Sequence, residues 1–212
     1  AILNLPVVFC FDRAGLVGED GPTHQPVEQL AGLRAIPGMK VFRPADGKET
    51  AYGWITALTG VGPTCLVLTR QNLPQYENSG ADALKGAYIL ADSDKKRPDA
   101  ILLASGSEVE LAMNAKKSLK AEGIDVRVVS VPCMELFDKQ PKKYKESVLP
   151  SSVRTRVAIE AGSTQCWYKY VGLDGDVIGM TTFGASAPYP VLQKHFGFTV
   201  ENVCEKVKNL LK

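Results

Sequence analysis

The stretch LPVVFCFDRAGLVGEDGPTHQP, Leu5 to Pro26, decides the reading of the fold. Its opening, Leu5 to Phe11, is an apolar run of strand length rich in β-branched and aromatic residues, which predicts a buried strand. Its close, GEDGPTHQP at Gly18 to Pro26, sets two acids and a histidine among glycines and prolines. Gly18 and Gly21 permit backbone angles closed to other residues, and Pro22 and Pro26 stiffen the segment around His24. A strand that feeds a rigid polar loop places the loop at the strand's carboxyl end, where open α/β sheets hold their ligands.

The same rhythm continues outward. Apolar runs at Lys40 to Arg43 and Thr64 to Thr69 alternate with helix-like stretches near Val27 to Arg34 and Gly47 to Leu58, the β-α-β-α-β order of a parallel sheet. Asp46 and Glu49 have the spacing of a capping box for the second of those helices. If the strands are parallel, the GEDGPTHQP loop, Arg43 and Arg70 emerge on one sheet edge. Between Leu73 and Asp99 the hydrophobic rhythm weakens, and turn and charge signals at Asn78 to Gly80 and Asp92 to Pro98 predict a domain boundary, giving units 1–88 and 89–212. The second unit has strand-like runs at Ala100 to Leu103, Val126 to Val131, Val157 to Glu160 and Val177 to Met180. Ser107 and Glu110 predict a capping box for a helix that reaches Glu122 and ends at Gly123. Thr199 predicts the cap of a last helix with Val200, Val203, Cys204, Val207, Leu210 and Leu211 on one face. The fold class is α/β, with two α/β domains and mainly parallel sheets.

At 212 residues and 45% hydrophobic, the chain can bury a real core. A net charge of +2, from 25 basic and 23 acidic residues, supplies no field suited to a nucleic-acid partner. Cys10, Cys65, Cys133, Cys166 and Cys204 are odd in number and scattered, which predicts buried free thiols in a reducing, cytoplasmic compartment. With no C-x-x-C pair and only His24 and His195 to join the cysteines, no metal site is expected. No signal peptide or 18-residue apolar span is present, which predicts a soluble protein without a membrane partner. The chain opens on AILNLPVVF and reads as a piece cut from a longer polypeptide.

The polar residues carry two readings each. His24 is suited to move a proton or donate a hydrogen bond to a developing alkoxide near neutral pH, or else it is a loop histidine bonded to its own backbone. Asp20, acceptor-only once ionised, suits a sugar hydroxyl, although the residues alone favour an Asx turn at Gly21-Pro22. Glu19 is expected to face solvent or to support the loop. Arg70 ends an apolar run and precedes Gln71 and Asn72, a place for a guanidinium to grip phosphate bidentately or to form an ordinary surface ion pair. Arg43 is a structural candidate. ASGSEV, Ala104 to Val109, lacks a full phosphate-loop pattern and reads as a strand-to-helix turn. His195, Trp54 and Trp167 are expected to be packing residues.

In order along the chain, GEDGPTHQPVEQ, RPAD at Arg43 to Asp46 and TRQNL at Thr69 to Leu73 resemble transketolase. ASGSEVELA at Ala104 to Ala112, ESVLP at Glu146 to Pro150, WYKYVGL at Trp167 to Leu173 and GMTTFGASAP at Gly179 to Pro188 are similar to the carboxyl-terminal part of that family. The resemblance implies a partial pyrimidine-binding domain at 1–88 and the carboxyl-terminal domain at 89–212. It implies transfer of a two-carbon ketol unit from ketose phosphates to aldose phosphates, with His24 facing the reacting carbons, Asp20 reading a hydroxyl and Arg70 holding phosphate. It implies thiamine diphosphate with magnesium or calcium in a full-length homodimer, none of it bound by this stretch, which lacks the family's G-D-G motif and is expected to be inactive alone. The partners it implies are sugar phosphates and the amino-terminal part of the same enzyme. DRAGLVGEDG at Asp12 to Gly21 departs from the usual pattern: it is similar to 1-deoxyxylulose-5-phosphate synthase and puts Asp12 where many transketolases carry a histidine, with Arg13 as an extra positive group. That synthase chemistry, and a non-catalytic assembly module, are the two alternatives.

Overall fold

The alternating apolar runs fold as two sheets, in a computed structural model that describes residues 1–212. In the first half, strand β1 (Val8–Phe11), helix α1 (Gln29–Arg34), β2 (Lys40–Phe42), α2 (Gly47–Thr59) and β3 (Thr64–Val67) follow in turn. The three strands are parallel in the order β1-β3-β2, with Val8 and Lys40 both paired to Thr64. Asp46 accepts a hydrogen bond from the Glu49 amide at 2.8 Å, while the Glu49 carboxylate accepts from the Ala45 amide at 2.7 Å, so two otherwise orphaned donors start α2.

In the second half the order is β4 (Tyr88–Ala91), β5 (Ala100–Ala104), α3 (Glu108–Ala121), β6 (Val126–Ser130), α4 (Met134–Asp138), α5 (Lys142–Val148), β7 (Arg156–Ser163), α6 (Tyr168–Val171), β8 (Asp176–Met180), α7 (Tyr189–His195) and α8 (Val200–Leu210). The strands form a five-stranded sheet, β4-β6-β5-β7-β8, parallel except for β4. Thr199 caps α8 by accepting from the Asn202 amide, and α8 buries Val203, Cys204 and Val207.

The sheets share one core. Phe42 and Leu66 of the first pack in the same buried cluster as Leu102, Val128 and Ile159 of the second, each such side chain contributing about 1.5–3 kcal/mol by leaving water. At the junction Arg34 donates twice to Glu160, at 2.6 and 2.8 Å, and Arg43 donates to Glu108 at 2.5 Å and to the Ser105 carbonyl at 2.8 Å. Ser105 and Trp167 donate to the same Glu160 carboxylate, at 2.6 and 2.9 Å. Burial alone would raise the Glu160 carboxyl, but the two guanidiniums outweigh it and hold it at about 2. Glu49, buried without a cation, goes the other way: loss of water pushes it up to about 7, against hydrogen bonds from Ser130, Ala45 and Tyr88.

Several expectations are corrected here. β1 is a strand but not a buried one: it lies on a sheet edge, so Phe9 and Phe11 stay 44% and 43% exposed and Cys10 is exposed too. Ser107 starts α3 without a capping hydrogen bond, because its hydroxyl donates to Glu108 and accepts from Arg43 instead. Trp167 is fully buried, whereas Trp54 lies on the open side of α2. His195 stays exposed with its ring edge-on to Phe196, 4.8 Å between centroids. β4, Tyr88–Ala91, runs across the position expected for the boundary between residues 88 and 89.

Candidate functional site

β1 and β3 are neighbours with Phe11 paired to Val67, so the residues just past their carboxyl ends meet. The Leu68 amide donates to the Phe11 carbonyl at 2.7 Å and the Ala14 amide to the Leu68 carbonyl at 3.0 Å, closing the two strand ends together. Arg13 and Arg70 therefore share one edge, and the loop of Gly18 to Pro26 folds back over it. Gly18 holds a φ of 91°, open to glycine, where the loop turns.

The turn carries Asp20 to both arginines. Its Oδ2 accepts from Arg70 at 2.8 Å and from Arg13 at 3.0 Å. The side chains are 33% exposed for Asp20, 50% for Arg70 and 39% for Arg13. An exposed pair of this kind contributes about 0–1 kcal/mol, so exchanging it for another anion costs little. Each guanidinium has five N–H donors, and one shared carboxylate oxygen leaves most of them free.

Arg13 also lines a cleft of about 420 Å³ with His24, Gln25, Glu28, Gln29 and Phe183. His24 is exposed there, and its Nδ1 lies 2.9 Å from the Thr23 hydroxyl, which leaves Nε2 without a protein partner. A second cleft of about 450 Å³ adjoins it through Glu28 and Phe183 and is lined by Thr164, Thr181 and Thr182. The edge thus offers two cationic forks, one carboxylate and an imidazole with a free nitrogen, beside grooves lined with hydroxyls. That set can grip an anion bidentately, accept from a hydroxyl and pass a proton.

Of the residues singled out in the sequence, Asp20 and Arg70 are bonded directly, and His24 lies on the same loop four residues on. Glu19 is exposed. Arg43 leaves the strand end but turns into the buried junction, where it meets Glu108 and Ser105. The ASGSEV turn is filled by that arginine: a Cβ on Gly106 would stand 2.9 Å from its side chain, so the turn has no room for a phosphate. Gln25 escaped the sequence reading. Only 4% exposed, it faces inward from a loop whose other polar residues face out, and its one signal was an amide, able to donate and accept, set between His24 and Pro26. No three His, Cys, Asp or Glu side chains are grouped so as to hold a metal ion.

Residues 1–75 match the family model described as transketolase, pyrimidine binding domain, and residues 86–199 match the one described as transketolase-like C-terminal domain. A probable transketolase of Streptococcus pneumoniae is 53% identical over 99% of this chain and 32% of its own length. Transketolase from Leishmania mexicana superposes with a TM-score of 0.92 at 44% identity, over 100% of this chain and 31% of that one. A Pichia stipitis transketolase solved in complex with sedoheptulose-7-phosphate gives the same TM-score, 0.92, identity, 44%, and coverage, 100% and 31%. The chain thus spans about a third of the length of the curated relatives it matches.

Proposed function

The chain belongs to the transketolase family, and from that premise we propose that it is the carboxyl-terminal part of an enzyme moving a two-carbon ketol unit from ketose phosphates to aldose phosphates. The Asp20 carboxylate shared by Arg70 and Arg13 carries this reading. A sugar phosphate presents both an anion and hydroxyls. Arg70, helped by Arg13, takes the phosphate in place of the weak surface bond to Asp20. Asp20, so released, accepts from a sugar hydroxyl. His24 orients the donor and moves a proton through Nε2, with Thr23 held on Nδ1. The Pichia stipitis relative solved with sedoheptulose-7-phosphate supports a sugar phosphate as the ligand class.

The family implies thiamine diphosphate and a divalent metal in the full-length enzyme. No three potential ligands converge here to hold that metal, and the metal and diphosphate site is assigned by the same proposal to the rest of the longer protein. The division into a partial pyrimidine-binding unit, 1–88, and a carboxyl-terminal unit, 89–212, is part of the same proposal, supported by separate family-model matches to residues 1–75 and 86–199. So is a cytoplasmic homodimer. The unpaired edge of β1, with Leu5, Val7, Phe9 and Phe11 all over 40% exposed, is the face the remaining polypeptide covers.

The test is a transfer assay on the full-length protein with thiamine diphosphate and magnesium. Xylulose 5-phosphate plus ribose 5-phosphate should turn over, pyruvate plus glyceraldehyde 3-phosphate should not, and the 212-residue chain alone should do neither. Turnover of the pyruvate pair instead would establish the synthase chemistry. Absence of both activities from the full-length protein would favour the assembly module.

A further inference from the structure

Gln25 joins the loop bearing Asp20 and His24 to the second half of the chain. Its amide nitrogen donates to the Gly18 carbonyl at 2.9 Å, within the loop, and to the Ala185 carbonyl at 3.0 Å, beyond β8. Its amide oxygen accepts from the Ala185 amide at 3.0 Å, so one side chain reads both backbone groups of that residue. Next to Ala185 the chain has no room for a side chain: a Cβ built on Gly184 would overlap Gln25 Oε1. A second stitch lies closer to Asp20, where the Ser186 hydroxyl donates to the Glu19 carbonyl at 2.7 Å.

We propose that Gln25 is a positioning residue: through it, Gly184 to Ser186 of the carboxyl-terminal unit hold the loop in the shape that presents Asp20 and His24 to a sugar phosphate. This rests on the substrate reading given above. Neither half of the chain then makes the site alone. An amide is the one side chain that fits the task, since it must donate twice and accept once at nearly uncharged backbone groups. Asp20 itself is partly exposed and held only by arginines that a phosphate would take, so without the stitches nothing fixes its distance from the hydroxyl it reads. Displacement of a contact by about 1 Å can cost on the order of a hundredfold in rate.

The test uses the full-length protein with thiamine diphosphate and magnesium, and wild-type transfer activity is the control: if the wild type is inactive, the substrate reading has failed and not this one. With an active wild type, Gln25→Ala should lower kcat/KM for phosphorylated substrates by roughly tenfold to a hundredfold. In an Asp20→Ser background the same change should cost less, because one of the two groups it positions is gone and only His24 remains. Gly184→Ala should reproduce the loss, and adding it to Gln25→Ala should make matters little worse, since the two nearest atoms to the added methyl, Oε1 and Cδ, belong to the Gln25 amide that Gln25→Ala removes. Should Gln25→Ala fold poorly, Ser186→Ala removes an exposed hydroxyl and should show a smaller loss with the same dependence on Asp20. Losses that multiply independently of Asp20, or a folded Gln25→Ala within twofold of wild type, would overturn the proposal.

Discussion

Asp20 lies between Arg13 and Arg70 with all three side chains a third to a half exposed, whereas Glu160 lies between Arg34 and Arg43 with none more than 4% exposed. The residue types are the same and the bond lengths similar, from 2.6 to 3.0 Å for the bonds from Arg13, Arg70 and Arg34. Burial separates their roles. At the sheet edge, water and salt compete for every charge, so the ion pairs add little stability and yield readily to a ligand. At the junction no water compensates a missing partner, and each group is committed to holding the sheets in register. That commitment is not a large net gain, because desolvation offsets attraction and the Nε atoms of both Arg34 and Arg43 are buried without an acceptor.

The largest expected effect comes from breaking the buried group. Glu160→Ala leaves the buried Arg34 guanidinium without its anion, while Arg43 keeps only Glu108, and should destabilise the protein by about 3–5 kcal/mol, read as a lower urea midpoint. A loss under 1 kcal/mol would place this cluster with the exposed one.

Acid should separate the clusters next. A folded-state carboxyl at about 2 instead of 4.5 gives Glu160 a contribution that is present above pH 4.5 and lost as pH falls toward 2. The size is about 3 kcal/mol. Glu49, raised from 4.5 to about 7, contributes with the opposite sign: its part is full below pH 4.5 and lost as pH rises through 7. Glu160→Gln should flatten the acid limb of a stability-pH profile and Glu49→Gln the limb between pH 4.5 and 7. Unchanged limbs in both variants would show that neither carboxyl is shifted as its surroundings require.

The smallest effect belongs to the exposed carboxylate. Asp20→Ser keeps a turn-compatible side chain but removes the charge and one acceptor, so hydroxylated acceptor aldehydes should lose about 1–2 kcal/mol of kcat/KM relative to plain aldehydes. The melting temperature should barely move. An unchanged ratio with a lower melting temperature would make Asp20 a turn residue after all.

The exposed cluster was largely legible in the sequence and the buried one was not. Strand rhythm put the GEDGPTHQP loop and Arg70 at neighbouring strand ends, because parallel β-α units bring successive carboxyl ends to one edge. Glu108 and Glu160 stand 65 and 126 residues from the arginines they bond, and no local pattern joins them. The same distance explains the failed capping box, since Ser107 is taken by Arg43 from 64 residues away. Apolarity foretold that Leu5 to Phe11 contains a strand, but which side of β1 is covered depends on sheet order. β4 escaped notice because YILA, Tyr88 to Ala91, is short and pairs antiparallel after a stretch of weak periodicity. Gln25 was missed because its partner, Ala185, offers only backbone groups.

The central claim is that the exposed arginines serve a phosphate and not the fold, and Arg70→Ala in the full-length enzyme tests it most directly. The measurement is kcat/KM for a phosphorylated substrate and its unphosphorylated counterpart, with a melting curve on the same sample. A charge-assisted contact predicts a selective loss of about 1.5–3 kcal/mol for the phosphorylated substrate and a melting temperature close to wild type. Equal losses for the two substrates, or a fall in melting temperature like that of Glu160→Ala, would contradict it.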